Sequence, residues 1–440
     1  AVDAGNGQSA TAGSAVATDP SVLVTDANGN PKQGVSVTFA VDTGGGTVVP
    51  TTAVTTDASG LATVTSWTLG TTAGANSLTA TSGGLTGSPV TFTATGTAGG
   101  ATKLLFVQQP TSAVAGAGIL PSVTVEVTDV NGNRVTGASD SITLAIGTNP
   151  GSGTLSGTKV VSASSGLATF AGLSINKAAT GYTLTASATS RTGATSTTFN
   201  ITAGAAAAIA VNAGNGQSAT AGSAVATAPS VVVTDANGNP KQGVSVTFAV
   251  DSGGGIVDPI SSVSTDASGV AAVTSWTLGA TAGANSLTAT SAGLTGSPIT
   301  FTATGSVGPA AKVVFTTQPS SSTVAGVAFS TQPVVTVQDA NGNTVTGSTA
   351  SIALTLTTGA GALGGTATMN AVNGVANFSG KNLSINLVGA DKVLTASSSG
   401  LTAATTSPAF TIIAGTATTI AVNAGNGQSA TAGSAVATAP

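Results

Sequence analysis

The run Gly34-Val35-Ser36-Val37-Thr38-Phe39-Ala40-Val41 places Val35, Val37, Phe39 and Val41 on one face and Ser36, Thr38 and Ala40 on the other. A period of two is the mark of a half-buried strand. Other strand-like runs follow the same rule and are separated by turn signals. A strand expected over 21–25 leads into Asp26-Ala27-Asn28-Gly29-Asn30-Pro31, where Asn and Gly tolerate the positive φ of a tight turn and Pro31 has no N–H for a ladder. Asp57-Ala58-Ser59-Gly60 is a second turn, ahead of a strand expected over 61–69. Further strands are expected over 10–17, 47–55, 77–81 and 90–95. About seven short strands with regularly spaced turns predict a sandwich of two antiparallel sheets.

The pattern repeats. AVDAGNGQSATAGSAVAT begins at Ala1, and AVNAGNGQSATAGSAVAT begins at Ala210 and again at Ala421. A second module type opens with ATKLLFVQQP at Ala101 and recurs, diverged, as AAKVVFTTQP at Ala310. In it Ile142, Leu144 and Ile146 alternate along one strand, as do Ile352, Leu354 and Leu356, and Phe170 and Phe378 follow the middle turn. With the types called A and B, the expected modules are A1 (1–99), B1 (100–205), A2 (206–308) and B2 (309–416). Residues 417–440 are expected to be the first strand segment of a further A module, too short to close a core. Modules of about 105 residues match an immunoglobulin-type sandwich. The junctions at 97–102, 203–208, 305–311 and 414–419 are short and rich in small residues. They predict limited bending and an extended A-B-A-B rod.

Composition narrows the chemistry. The chain has no Cys and no His, which removes thiol nucleophiles, disulfides, Cys/His zinc sites and the usual neutral-pH acid–base group. Ten Lys or Arg against fourteen Asp or Glu leave no basic patch, so nucleic acid is not an expected partner. No apolar run is long enough to span a membrane. Val, Thr, Gly, Ser and Ala dominate, which favours strands and turns.

VTDANGNPKQGVSVTFAV (from Val24, again from Val233) and SWTLGTTAGANSLTAT (from Ser66; SWTLGATAGANSLTAT from Ser275) resemble the bacterial Ig-like repeats of the invasin/intimin type, the Big domains. VTDVNGNRVTG at Val127 and VQDANGNTVTG at Val337 resemble related repeats of large bacterial surface proteins. The resemblance covers nearly the whole chain. It implies a cell-surface array of spacers that projects a binding tip, although no anchor or tip domain is recognisable here.

Several residues invite a chemical role. The alternating oxygens of the turns at Asp26, Asp129, Asp235 and Asp339 make Asp26, Asn28, Asp235 and Asn237 weak candidates for calcium. Too few acids accompany them, and a structural turn in which Asp caps backbone N–H groups is the stronger reading. Trp67 and Trp276 are candidates for sugar stacking, with core packing favoured. Gly44–Gly46 lacks the helix and Lys of a phosphate loop and reads as a mobile loop or bulge. Asp42 and Asp57 offer a carboxylate pair with nothing gathered around it for glycoside hydrolysis. Catalytic residues, cofactors and metal are therefore not expected.

Charged residues make up only 5% of the chain, and its mean hydropathy is +0.40. The outer faces must be covered by Thr, Ser, Ala and Gly. They repel one another weakly and are suited to O-linked sugar on Ser and Thr or to lateral packing. The expectation is a non-enzymatic, extracellular or cell-surface filament or stalk that associates with itself, into a filament or surface layer. Donation of an edge strand by residues 421–440 to another chain is one route. The alternative is an adhesin spacer or binding module for a carbohydrate or protein receptor.

Overall fold

A computed structural model describes residues 1–439. It is all-β: every element among the described residues is a strand, and no helix is long and apolar enough to cross a membrane. The chain forms two compact units. One comprises Ala1–Ala208 with the loop Thr234–Lys241, and the other Ile209–Val233 with the residues from Gln242 on.

In the first unit, the opening sandwich has ten strands: β1 (Val2–Ala4), β2 (Gln8–Thr11), β3 (Ser21–Leu23), β4 (Ser36–Thr43), β5 (Gly46–Val49), β6 (Val54–Thr55), β7 (Leu61–Thr63), β8 (Ser66–Leu69), β9 (Gly74–Thr81) and β10 (Val90–Thr97). One sheet has the order β1-β3-β7, the other β2-β10-β9-β4-β6, and β5 pairs with β8 in a separate ribbon. All pairs are antiparallel except β2 with β10, where Gln8 stands opposite Ala94. The chain therefore changes sheets between β1 and β2. Gly5, at φ 82°, makes the crossing, because a Cβ there would stand 2.7 Å from the Cα of Pro20.

Val37, Phe39, Trp67, Leu78 and Phe92 meet between the sheets and are at most 2% exposed. The Phe39 and Phe92 rings lie 6.3 Å apart in a tilted pair. Burying each such side chain contributes about 1.5–3 kcal/mol.

Ten strands replace the expected seven because three runs change partners. The run 61–69 divides at Val64 and Thr65, since β7 pairs with β3 while β8 pairs with β5. The run 47–55 divides at Pro50, which cannot donate to a ladder. The opening run lies at β1 and β2 instead of 10–17, because the chain turns after Thr11, where Ser14 N–H donates to the Thr11 carbonyl.

The second sandwich of the first unit repeats this plan. Lys103–Gln108, Val123–Thr128 and Leu167–Phe170 form one sheet, and Ser141–Ile146 lies at the centre of the facing layer. Ile142, Leu144, Phe170 and Tyr182 are buried, with the Tyr182 hydroxyl donating to the Lys177 carbonyl at 2.8 Å.

The second unit carries the same two patterns. Trp276 and Phe301 are buried as Trp67 and Phe92 are. Ile352, Leu354 and Phe378 are buried likewise. Lys392 takes the place of Tyr182. It is 1% exposed, and its amine donates to the Ala360 and Val388 carbonyls. Residues 414–439 form no strand. Ile420 is fully exposed and Val422 is 68% exposed. The turn within this tail still closes locally, with Gln428 and Thr438 exchanging two hydrogen bonds as Gln8 and Thr18 do.

Candidate functional site: the Asp–Asn loops

The four Asp-x-Asn-Gly-Asn turns fold by one set of local bonds. In the second sandwich, Asp129 Oδ1 accepts the N–H groups of Asn131 and Asn133, both at 2.9 Å, and Asn133 Nδ2 donates to Asp129 Oδ2 at 2.9 Å. Gly132, at φ 91°, makes the reversal between them. Asp235 and Asp339 bind Asn239 and Asn343 in the same way, and Asp26 binds Asn30.

Three of the loops also reach outward. Asn133 Nδ2 donates to the Thr71 carbonyl at 2.8 Å, and Asn133 Oδ1 accepts the Ala73 N–H at 2.7 Å. Asn131 Nδ2 donates to the Ala12 carbonyl at 3.4 Å, and Gly99 N–H donates to Asp129 Oδ2 at 2.9 Å. These four bonds clasp the second sandwich to the end of the first.

The loop Thr234–Lys241, also in the first unit, makes the same four bonds to the far end of the second sandwich. Asn239 bonds to the Asn176 carbonyl (3.0 Å) and the Ala178 N–H (2.9 Å). Asn237 bonds to the Ala115 carbonyl (3.0 Å), and Asp235 to the Gly204 N–H (2.8 Å). Lys177 Nζ adds a bond to the Asn237 carbonyl at 2.8 Å. In the second unit, Asn343 bonds to the Ala280 carbonyl and the Ala282 N–H, both at 2.8 Å. Asn341 bonds to the Ala221 carbonyl (2.6 Å), and Asp339 to the Gly308 N–H (2.9 Å).

Burial follows these contacts. Asp129, Asp235 and Asp339 are at most 3% exposed, whereas Asp26, identical in local sequence to Asp235, is exposed. Burial raises the carboxyls of Asp129, Asp235 and Asp339. The side-chain bond from the second Asn and the converging backbone N–H groups outweigh it, so all three lie below the ordinary 3.8. Asp26 is lowered as well, first by the Asn30 side chain.

The loops are thus cages of N–H donors around a carboxylate. In the calcium reading Asp26, Asn28, Asp235 and Asn237 would present oxygens to an ion. Instead Asn28 N–H and Asn237 N–H donate to the Oδ1 atoms of Asp26 and Asp235, and donors also occupy the Oδ2 atoms. Among the described residues, no three acidic side chains stand together.

The other candidates have structural partners. Trp67 and Trp276 are fully buried, which removes the sugar-stacking reading. The Gly44–Gly46 segment is a tight crossing: a Cβ at Gly46 would stand 2.1 Å from the Thr68 carbonyl oxygen, and one at Gly70 would stand 1.8 Å from that of Gly44. Asp42 accepts the Ser77 hydroxyl, and Asp57 caps the Ser59 and Leu61 N–H groups, so each carboxylate has its own partners. The sequence marked the Asp–Asn turns. It did not mark what they hold, because the outward partners are backbone atoms with no residue signature.

No family model matches the chain, and no curated protein matches it. Among solved structures it is similar to FdeC, an Escherichia coli adhesin, at 22% identity over 69% of this chain and 99% of the other, with a TM-score of 0.39. It is similar to InvD of Yersinia pseudotuberculosis at 20% identity over 68% and 96%, TM-score 0.33. It is similar to invasin, a bacterial integrin-binding protein, at 15% identity over 94% and 78%, TM-score 0.32. The tandem β-sandwiches are established by the chain's own strands and sheet orders.

Proposed function

We propose that the chain is a non-enzymatic structural component of a bacterial cell-surface or extracellular stalk or filament, in which clasped Ig-like modules transmit load from one to the next. Its module boundaries are those of the repeat: 1–99, 100–205, 206–308 and 309–416, with 417–440 opening another. The observation that supports this reading is the recurrence of one four-bond clasp at three loops, each with a buried Asp and each made to backbone atoms. A linker alone would leave neighbours free to swing, whereas the clasps within each unit tie one sandwich to the next. Catalysis has no support in a chain without His or Cys. Receptor recognition by loops has less support than a structural role, because both Trp and the single Tyr are buried.

The test is small-angle X-ray scattering of the full chain beside the double variant Asn133→Ala, Asn343→Ala. The wild type is expected to scatter as a set of fixed neighbours and the variant as a more flexible chain with folded modules. Identical flexibility in both would overturn the reading.

A further inference from the structure

Each sandwich lays a short strand from its opening segment parallel to its last strand. In the first sandwich Gln8–Thr11 lie opposite Ala94–Thr97, and in the repeat of that type Gln217–Thr220 lie opposite Ala303–Ser306. The pairing is prolonged at both ends. Gly216 N–H donates to the Thr302 carbonyl at 2.9 Å and Ala221 N–H to the Ser306 carbonyl at 2.8 Å, as Gly7 and Ala12 do to Thr93 and Thr97. Hydroxyls bind across it as well: Ser218 donates to the Thr304 carbonyl at 3.1 Å and Ser306 to the Ala219 carbonyl at 3.2 Å.

The other sandwich type holds the same place with fewer bonds. Only Ala113 and Val114 lie opposite Ile201 and Thr202, and in its repeat Ser322–Val324 lie opposite Thr411–Ile413. A proline shortens the pair. Val114 stands against the last strand as Thr11 does, and four residues before them Pro110 takes the place of Gly7. Proline has no N–H to donate there. The Asn200 N–H goes to the Ser112 hydroxyl at 3.0 Å, a side-chain bond at the edge of the ladder. Ala115 N–H, donating to the Thr202 carbonyl at 2.8 Å, prolongs the far end.

Load along the chain enters a module at its opening segment and leaves from its last strand, so the parallel pair is pulled lengthwise. Its bonds then carry the load together instead of parting one after another. Forced unfolding is governed by the rate of crossing that barrier, which rises with the length of the pair. We infer that the two module types yield at different tensions: the sandwich of residues 100–205 opens first and lengthens the chain while that of residues 206–308 stays folded. The short pair sets the tension at which the chain extends, and the long pair preserves its continuity beyond that point. This device rests on the proposed load-bearing role and adds to it an order of yielding.

Force spectroscopy of the full chain, held at its two ends and stretched, is the test. Disulfide staples identify which event belongs to which module. Val114→Cys with Thr202→Cys, and Ser218→Cys with Thr304→Cys, join exposed residues that stand opposite one another across the parallel pair. Neighbouring strands lie about 4.8 Å apart, within the Cα separation that a disulfide spans, and the chain has no Cys of its own. Once oxidised, each staple withholds about 300 Å of chain, at about 3.4 Å per residue. The first staple is expected to abolish the earliest and weakest event, and the second an event of the later, stronger group. Reduction is expected to restore both. The reverse assignment, or one tension for both modules, would overturn the inference and leave the clasps, and the scattering test of them, untouched.

Discussion

Asn133 makes three bonds with one amide: to Asp129, to the Thr71 carbonyl and from the Ala73 N–H. Asn133→Ala removes all three and leaves the Asp129 carboxylate short of a donor. The expected cost is about 1–3 kcal/mol, read as a lower denaturation midpoint. The Ala73 amide, its acceptor gone, should exchange hydrogen faster, while the Gly70 amide, held by Asn76 Oδ1, should not change. The same loops carry a pH dependence. Asp129, Asp235 and Asp339 sit below 3.8 in the folded protein, so their contribution is fully present above that value. It is lost as pH falls through the lowered folded values. Acid titration followed by scattering should therefore loosen the clasps below pH 3.8 before the sandwiches unfold.

At the scale of elements, glycine decides where the chain can cross itself. A Cβ at Gly70 or Gly46 would overlap a backbone carbonyl, so Gly70→Ala and Gly46→Ala are each expected to cost about 2–4 kcal/mol in urea unfolding. Gly45, where a Cβ would lie 3.8 Å from the Gly70 Cα, bears only the left-handed backbone penalty, about 1–2 kcal/mol on substitution. Lys392→Tyr should keep stability within about 1 kcal/mol, since Tyr182 fills that position in the second sandwich, whereas Lys392→Ala opens a cavity worth about 2–4 kcal/mol. The strands themselves were legible. Val37 and Phe39 alternate inward as period two requires, and Phe170 and Phe378 lie in the core. Where a run changes sheets was only faintly legible. In residues 61–69 the inward positions pass from Ala62 and Val64 to Trp67 and Leu69, a one-residue slip at Thr65-Ser66 that marks the point where β7 and β8 take different partners. Lys392 was equally hidden, because a buried amine is satisfied by carbonyls that sequence does not display.

For the whole molecule, the repeat and its period were plain in the sequence, and so was the scarcity of charge. The clasps were seen only as turns, because Ala12, Thr71 and Ala73 contribute backbone groups and any residues would serve.

Each clasp within a unit is also directional: the loop of one sandwich grips the end of the sandwich before it. Duplication or excision of a clasped pair in the gene would bring the same loop and the same backbone groups together again. The number of sandwiches can then change by recombination without a compensating substitution.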